Sequence, residues 1–296
     1  MGTLLMFLTL NKINEGAIIM YSLYHDYKKF EKIANRYTEE SSYLDLSNEK
    51  FIAPTTMIPL LCLAVRKNIT KFYVNTINED YVERILNRKE TSTTIPYQIL
   101  PFSEKERQDN ELSLKITEKI NPIYGGLYTL LHLFSELTNN IYNHTPFEEE
   151  LASQGYTYAQ EYPNPKKLDL CVMDDGVGIP GRFQRSGIKY EDDCHAIEIA
   201  ISNHSTVSED KDVRGNGLWS TLKLVVEANK GQALIVSGQG CLHIRSKKRY
   251  KYYSLDNKNI FKGTLISLRL NNKEVQNFHD WIEFYRGNPY KYQRSD

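Results

Sequence analysis

Three things are scarce in this 296-residue sequence, and each scarcity removes a class of protein. No charge is in excess: 37 Lys plus Arg face 37 Asp plus Glu, so no global field draws the chain to nucleic acid or membrane. No apolar run approaches the roughly 20 residues of a membrane-spanning helix. Met1–Leu10 is apolar but short, with neither a basic leader nor a small-residue cleavage site, and reads as a first β-strand. Met6 stands where an N-myristoylation motif wants Ser or Thr after Gly2. No C-x-x-C pair occurs among Cys62, Cys171, Cys194 and Cys241; three lie in or beside apolar segments, as buried free thiols do in a reducing cytosol. Cys194-His195 with His204 lacks the ligand number and spacing usual for zinc. The expectation is a soluble, cytoplasmic protein. Hydrophobic residues at 41% and charged residues at 25% make it globular rather than disordered.

At this length there is room for two domains. Residues 1–110 read as a small α/β unit. It holds a strand over Tyr43–Asn48, a buried helix opening at Pro54 and running through Met57–Val65, a strand over Lys71–Thr76, and a helix capped by Asn78 or Asp80 and reaching Asn87. Glu104–Glu111 is polar and charged and reads as a linker. Residues 111–296 begin with a long helical pattern from Asn121 to His144, followed by strands over Tyr156–Tyr162 and Leu168–Met173. A glycine turn and a polar loop through Asp212 come next, then a helix over Gly217–Asn229. Strands at Ala233–Ser237, Leu242–Arg245 and Thr264–Leu270 and a last helix at Glu274–Tyr285 complete the pattern. Helices and strands mix without strict alternation, which indicates an α/β sandwich rather than a doubly wound sheet.

Three segments of the second half carry chemistry. In Leu133-Phe-Ser-Glu-Leu-Thr-Asn-Asn-Ile-Tyr-Asn-His144, Glu136, Asn140 and His144 lie four apart, hence on one helix face. A carboxylate, an amide oxygen and an imidazole in line suit a hydrated Mg²⁺ and its phosphates, although such spacing also occurs on solvated helix faces. In Asp174-Asp-Gly-Val-Gly178, a buried strand delivers Asp174 to its end and glycines turn the backbone. There an aspartate can accept a hydrogen bond from an exocyclic amine; a plain turn is the alternative. In Arg214-Gly-Asn-Gly-Leu218, glycines open a helix whose N-terminal amides favour anions, with Lys211 and Arg214 adding charge.

In this order and spacing the three segments resemble the signature of the GHKL ATPases, the Bergerat fold of histidine kinases, anti-sigma serine kinases, MutL proteins and gyrase B subunits. Glu136–His144 matches the asparagine box, Asp174–Gly178 the D-x-G-x-G box and Gly215–Leu218 the G-x-G-L box. Gly263-Thr264 opens a late strand where the family places a threonine near adenine, so the match covers roughly residues 121–270. The resemblance implies a Bergerat-type sandwich of mixed or antiparallel sheet on helices, binding ATP and Mg²⁺. It implies Asn140 as the magnesium ligand, flanked in its box by Asn143 and His144, and Asp174 as the reader of the adenine amino group. Gly176, Gly178 and Ile179 would line the nucleotide, with Thr264 beside the base. Lys211, Arg214, Gly215, Asn216, Gly217 and Leu218 would surround phosphate, under a mobile lid over residues 203–213. Glu136 takes the position of a general base, with orientation of a magnesium-bound water as its lesser role.

Within the family, no histidine has the context of a phospho-acceptor: His132 lies on the asparagine-box helix itself and His25 in His-Asp-Tyr. Only 26 residues follow Leu270, too few for the transducer of a gyrase- or MutL-type motor. The Glu-x-x-x-Asn-x-x-x-His box is most similar to those of anti-sigma serine kinases and of one subset of histidine kinases. Leu44-Asp-Leu-Ser-Asn48 with Phe51-Ile-Ala-Pro-Thr-Thr56 resembles the strand–turn–helix of STAS-type domains, the partners of such kinases. Pro54 replaces the phosphorylatable serine, leaving Thr55 or Thr56 as substitutes. That turn either docks on a partner or the ATP domain, or simply extends the core.

The resemblance thus implies a regulatory ATPase or serine/threonine-kinase-like enzyme with a protein partner through its first half. A non-catalytic ATP-gated switch is the alternative, and homodimerisation stays open. A nucleic-acid-associated defence or repair role is a third reading. It rests on Arg245-Ser-Lys-Lys-Arg-Tyr-Lys251, five basic residues in seven, better read as a solvated hairpin.

Overall fold

The computed structural model describes residues 21–38, 42–49, 51–76, 79–89, 94–100, 124, 132–133, 135–138, 155–202, 217–256, 262–273, 275 and 290–293. The expected strand at Met1–Leu10, the cap Asn78, the linker at 104–111, the lid at 203–213 and most of the helix at 274–285 lie outside them.

Helix α1 (Leu23–Ala34) is capped by Ser22, whose side chain accepts from the His25 amide. Strand β1 (Tyr43–Leu46) pairs in parallel with β2 (Lys71–Val74), joined by α2 (Pro54–Arg66). Proline in the first turn starts α2 without wasting an amide. The helix is apolar nearly all round, and nearly every residue of it is buried. Helix α3 (Glu79–Leu86) buries only Val82 and Ile85.

Seven strands form one sheet in which every pairing is antiparallel, in the order β3-β4-β5-β9-β6-β7-β8. They are β3 (Thr94–Leu100), β4 (Gly155–Tyr162), β5 (Lys167–Asp174), β6 (Gln232–Ser237), β7 (Gly240–Ser246), β8 (Arg249–Ser254) and β9 (Thr264–Asn271). The chain is therefore mixed α/β, with an antiparallel sheet packed by helices.

Strand alternation sorts the sheet's residues into two cores. Leu168, Leu170, Val172, Ala233, Ile235, Ile266 and Leu268 face Leu133, Leu137, Leu222, Val225 and Ile197. Tyr156, Tyr158, Cys171, Met173, Leu234, Val236 and Leu265 face Leu23, Phe30, Met57, Leu60 and Leu61 of α1 and α2. Segments on either side of residue 110 thus share one cluster, and β3 hydrogen-bonds to β4 across the same divide.

A buried ion triad sits in the second core. Asp169 and Arg269 are opposite each other on β5 and β9, and Arg269 grips both carboxylate oxygens of Asp169 at 2.6 and 2.7 Å. Nη2, which also holds Asp169, donates to Asp26 of α1 at 3.2 Å, and Nη1 donates to the Tyr21 carbonyl. Burial, opposed by Arg269, raises Asp169 and brings Asp26 to about 6.

The Ala53–Thr56 turn is buried against α1 and the sheet of the second half. Thr55 Oγ1 lies 2.6 Å from Ser267 Oγ on β9, and Thr56 Oγ1 donates to the Asp26 carbonyl at 2.7 Å. Both threonines are fully buried, out of reach of a modifying enzyme while the fold is intact.

The stretch expected as a turn and polar loop holds two further helices, α4 (Gly178–Arg185) and α5 (Asp193–Ala200). Asp192 caps α5 by accepting from the His195 amide at 2.9 Å. The helix expected over Gly217–Asn229 opens as α6 (Gly217–Leu222) and continues as a π-helical turn over Lys223–Ala228. Among the described residues no helix is long and apolar enough to cross a membrane.

Candidate functional site

Two clusters rim the core that contains Leu133 and Val172. The first lies at one end of the sheet, where Asp174, Thr264 and Ser237 stand side by side on β5, β9 and β6. Asp174 Oδ1 accepts from the Gly176 amide at 2.9 Å and Oδ2 from the Thr264 amide at 3.2 Å. Four acceptor sites on a carboxylate minus two amides leaves capacity for another donor. Burial outweighs those two bonds and, aided by neighbouring Asp175, pushes the Asp174 carboxyl up to about 7.

The glycines here are close-approach devices. Gly263 has φ +104°, and a Cβ on it would run into the Asp174 carbonyl group. Gly178 has φ +70°, and a Cβ there would sit 2.6 Å from Ser237 Oγ and 2.7 Å from the Gly263 carbonyl oxygen. Ser237 binds this corner together: its hydroxyl accepts from the Ile179 amide at 2.8 Å, lies 3.1 Å from the Gly263 carbonyl and 3.0 Å from Thr264 Oγ1. The missing side chain of Gly178 therefore admits the ends of β6 and β9.

The second cluster joins the helical residues 132–138 to α6. A Cβ built on Gly217 would collide with the Glu136 carboxylate, whose Cδ lies 3.0 Å from that position. One turn back on the same helix, His132 Nε2 is 3.1 Å from Ser220 Oγ, which donates to the Gly217 carbonyl at 2.9 Å. Burial lowers the His132 pKa, with nearby Glu136 opposing. Leu133 and Leu137, both fully buried, anchor this helix to the sheet.

Of the residues read from sequence, the structure brings Glu136 against Gly217, and Asp174, Gly176, Gly178 and Ile179 into one corner with Thr264. Ile179 and Leu218 pack on the edge of the same core. Asn140, Asn143, His144, Lys211, Arg214, Gly215 and Asn216 lie outside the described residues. The sequence reading missed Ser237 and the His132–Ser220 pair. A serine closing the otherwise apolar run Ala233–Val236 was the available signal for the first.

Other residues singled out from sequence have local roles. All four cysteines are buried and free. Cys194 Sγ donates to the Tyr253 carbonyl at 3.4 Å, and His195 Nδ1 accepts from the Glu191 amide at 3.1 Å. Among the described residues no group of three His, Cys, Asp or Glu is placed to hold a metal. The basic segment is the β7–β8 hairpin: Arg245, Lys247, Lys248, Arg249 and Lys251 are exposed, with Lys247 3.8 Å from Glu227 and Lys251 over the Tyr253 ring.

No protein-family model matches this sequence, and no curated protein matches it either.

Proposed function

We propose that this chain is a GHKL-type nucleotide-binding protein that uses ATP and Mg²⁺ for phosphoryl transfer to water or to a protein hydroxyl, as a regulatory ATPase or serine/threonine-kinase-like enzyme. The observation that carries this reading is the convergence of motifs far apart in sequence: Glu136 against Gly217, and Asp174 beside Thr264, on one face of one antiparallel sheet. A Bergerat-type arrangement accounts for that convergence. A STAS-like origin for the first half accounts for its β1–α2–β2 unit, though α1 and α2 cover the sheet and leave a protein partner to meet other surfaces.

The residues present fit an adenine nucleotide. Asp174 is half-buried with acceptor capacity to spare, and its raised pKa means that a donated hydrogen bond would stabilise the ionised form. Glu136 is half-buried and held against the first residue of α6, where the resemblance implies phosphate. When bound, Mg²⁺–ATP supplies the transferable phosphoryl group and the charge neutralisation it needs. Glu136 would accept the proton of the attacking hydroxyl, Asp174 would orient the base, and Asn140 would hold the metal.

The test combines purified protein with Mg²⁺ and γ-labelled ATP, following binding, phosphate release and label on protein. Wild type is expected to bind and turn over, Asn140→Ala to lose binding, and Glu136→Gln to bind without turnover. Absence of ATP binding in the wild type sinks the proposal. Binding without any product favours a nucleotide-gated switch, or a kinase awaiting its protein substrate.

A further inference from the structure

Two rungs connect the helix carrying Glu136 to α6. One is Glu136 on Gly217; the other is His132 on Ser220, and each helix contributes residues one turn apart. Ser220 Oγ has one proton and gives it to the Gly217 carbonyl. Its contact with His132 Nε2 takes its direction from the imidazole tautomer. The chain from His132 Nε2 through Ser220 Oγ to the Gly217 carbonyl ends on the residue that the Glu136 carboxylate touches.

We propose that His132 is a positioning residue for Glu136: through Ser220 it fixes the Gly217 peptide and the helix register that sets the carboxylate against it. This rests on the phosphoryl-transfer reading, in which Glu136 is the base. The anchoring of the helix is separate, because Leu133 and Leu137 are buried in the sheet core whether or not the rung exists. What the rung supplies is orientation, and about 1 Å of misplacement of a catalytic group costs on the order of a hundredfold in rate.

The experiment measures steady-state ATP turnover for wild type, Glu136→Gln, His132→Ala, His132→Gln, His132→Asn, Ser220→Ala and the His132→Ala/Ser220→Ala double variant. His132→Ala is expected to lower kcat about ten- to a hundredfold with KM for ATP changed less than about threefold, the pattern of a group acting in the transition state. Gln places an amide N–H where Nε2 stood and restores most of kcat; Asn, whose amide nitrogen matches Nδ1, does not. Ser220→Ala and the double variant are expected to match His132→Ala, because the two side chains act as one unit. Equal activity of His132→Ala and wild type overturns the proposal, as does a loss shared equally by Gln and Asn or a strictly additive double variant. A wild type that binds ATP but releases no product overturns this inference together with phosphoryl transfer to water, whereas a working wild type with an indifferent His132 removes this inference alone.

Discussion

At the scale of single residues, Asp174 has the clearest chemical consequence. Its pKa is raised from 3.8 to about 7, so the folded state binds this proton more tightly than the unfolded chain. The stability it contributes is complete below about pH 4 and is lost as pH rises through about 7. Relative to Asp174→Asn, the wild type should lose about 2–4 kcal/mol between pH 4 and pH 8, discounted for partial solvent contact. Urea melts of both proteins at the two pH values check this, because the other carboxylates cancel in the difference. The same ionisation governs nucleotide binding if the carboxylate accepts from the adenine amine. ATP affinity should then rise about tenfold from pH 6 to pH 8 in the wild type and stay flat in Asp174→Asn, as titration calorimetry would show. Gly263 makes a different demand. Its φ of +104° and its contact with Asp174 mean that Gly263→Ala should cost about 1–3 kcal/mol in backbone strain before any overlap is counted, visible as a lower urea midpoint.

At the scale of elements, what was legible in the sequence followed periodicity, and what was missed followed context. Helix α2 was readable because Pro54 marks its start and nine apolar-rich residues follow; β5, β6 and β9 were readable as apolar runs. Helices α4 and α5 were hidden by Gly178, Pro180, Gly181 and the charged run Glu191–Asp193, which look like loop composition. There Asp192 caps a short helix whose stability comes from packing Cys194, Ala196 and Ile197, a tertiary effect no local window contains. Strand β8 reads only as part of a solvated hairpin, because its Arg249 and Lys251 are exposed along a sheet edge. Helix α1 was hidden for a related reason: Asp26, a charged residue on its buried face, is explained only by Arg269, 243 positions away. That ion triad ties α1 to β5 and β9, and it yields a prediction. Arg269→Met leaves two buried carboxylates without their cation and should cost about 3–5 kcal/mol. Adding Asp26→Leu and Asp169→Leu should recover most of that loss, since no charge is then left buried; chemical denaturation of the three proteins compares them.

At the scale of the molecule, the two faces of one sheet are finished by different parts of the chain. The face bearing Asp174 is covered by residues 132–138, α5 and α6, all from the second half. The face bearing Tyr156, Tyr158, Cys171, Met173, Leu234, Val236 and Leu265 is covered by α1 and α2, from the first. The motifs behind the proposed nucleotide site all lie in residues 111–296, but the sheet that aligns them is clothed on its other side by residues 1–110. A fragment of residues 111–296 would expose that apolar face, and contiguous exposed patches of this kind drive association. It would also leave Asp169 and Arg269 without Asp26 and bare the β4 edge that β3 now occupies. Expressed alone, this fragment should aggregate; co-expressed with residues 1–110, it should be recovered in a stable one-to-one complex on size exclusion. The intact chain, sharing one core across the divide, should unfold in a single cooperative transition reported alike by tryptophan fluorescence and far-ultraviolet circular dichroism. A soluble, monomeric 111–296 fragment, or two separate transitions in the intact chain, would show that the shared face contributes little. The first half would then be an appendage to the sheet, with no part in holding Asp174 and Glu136 in register.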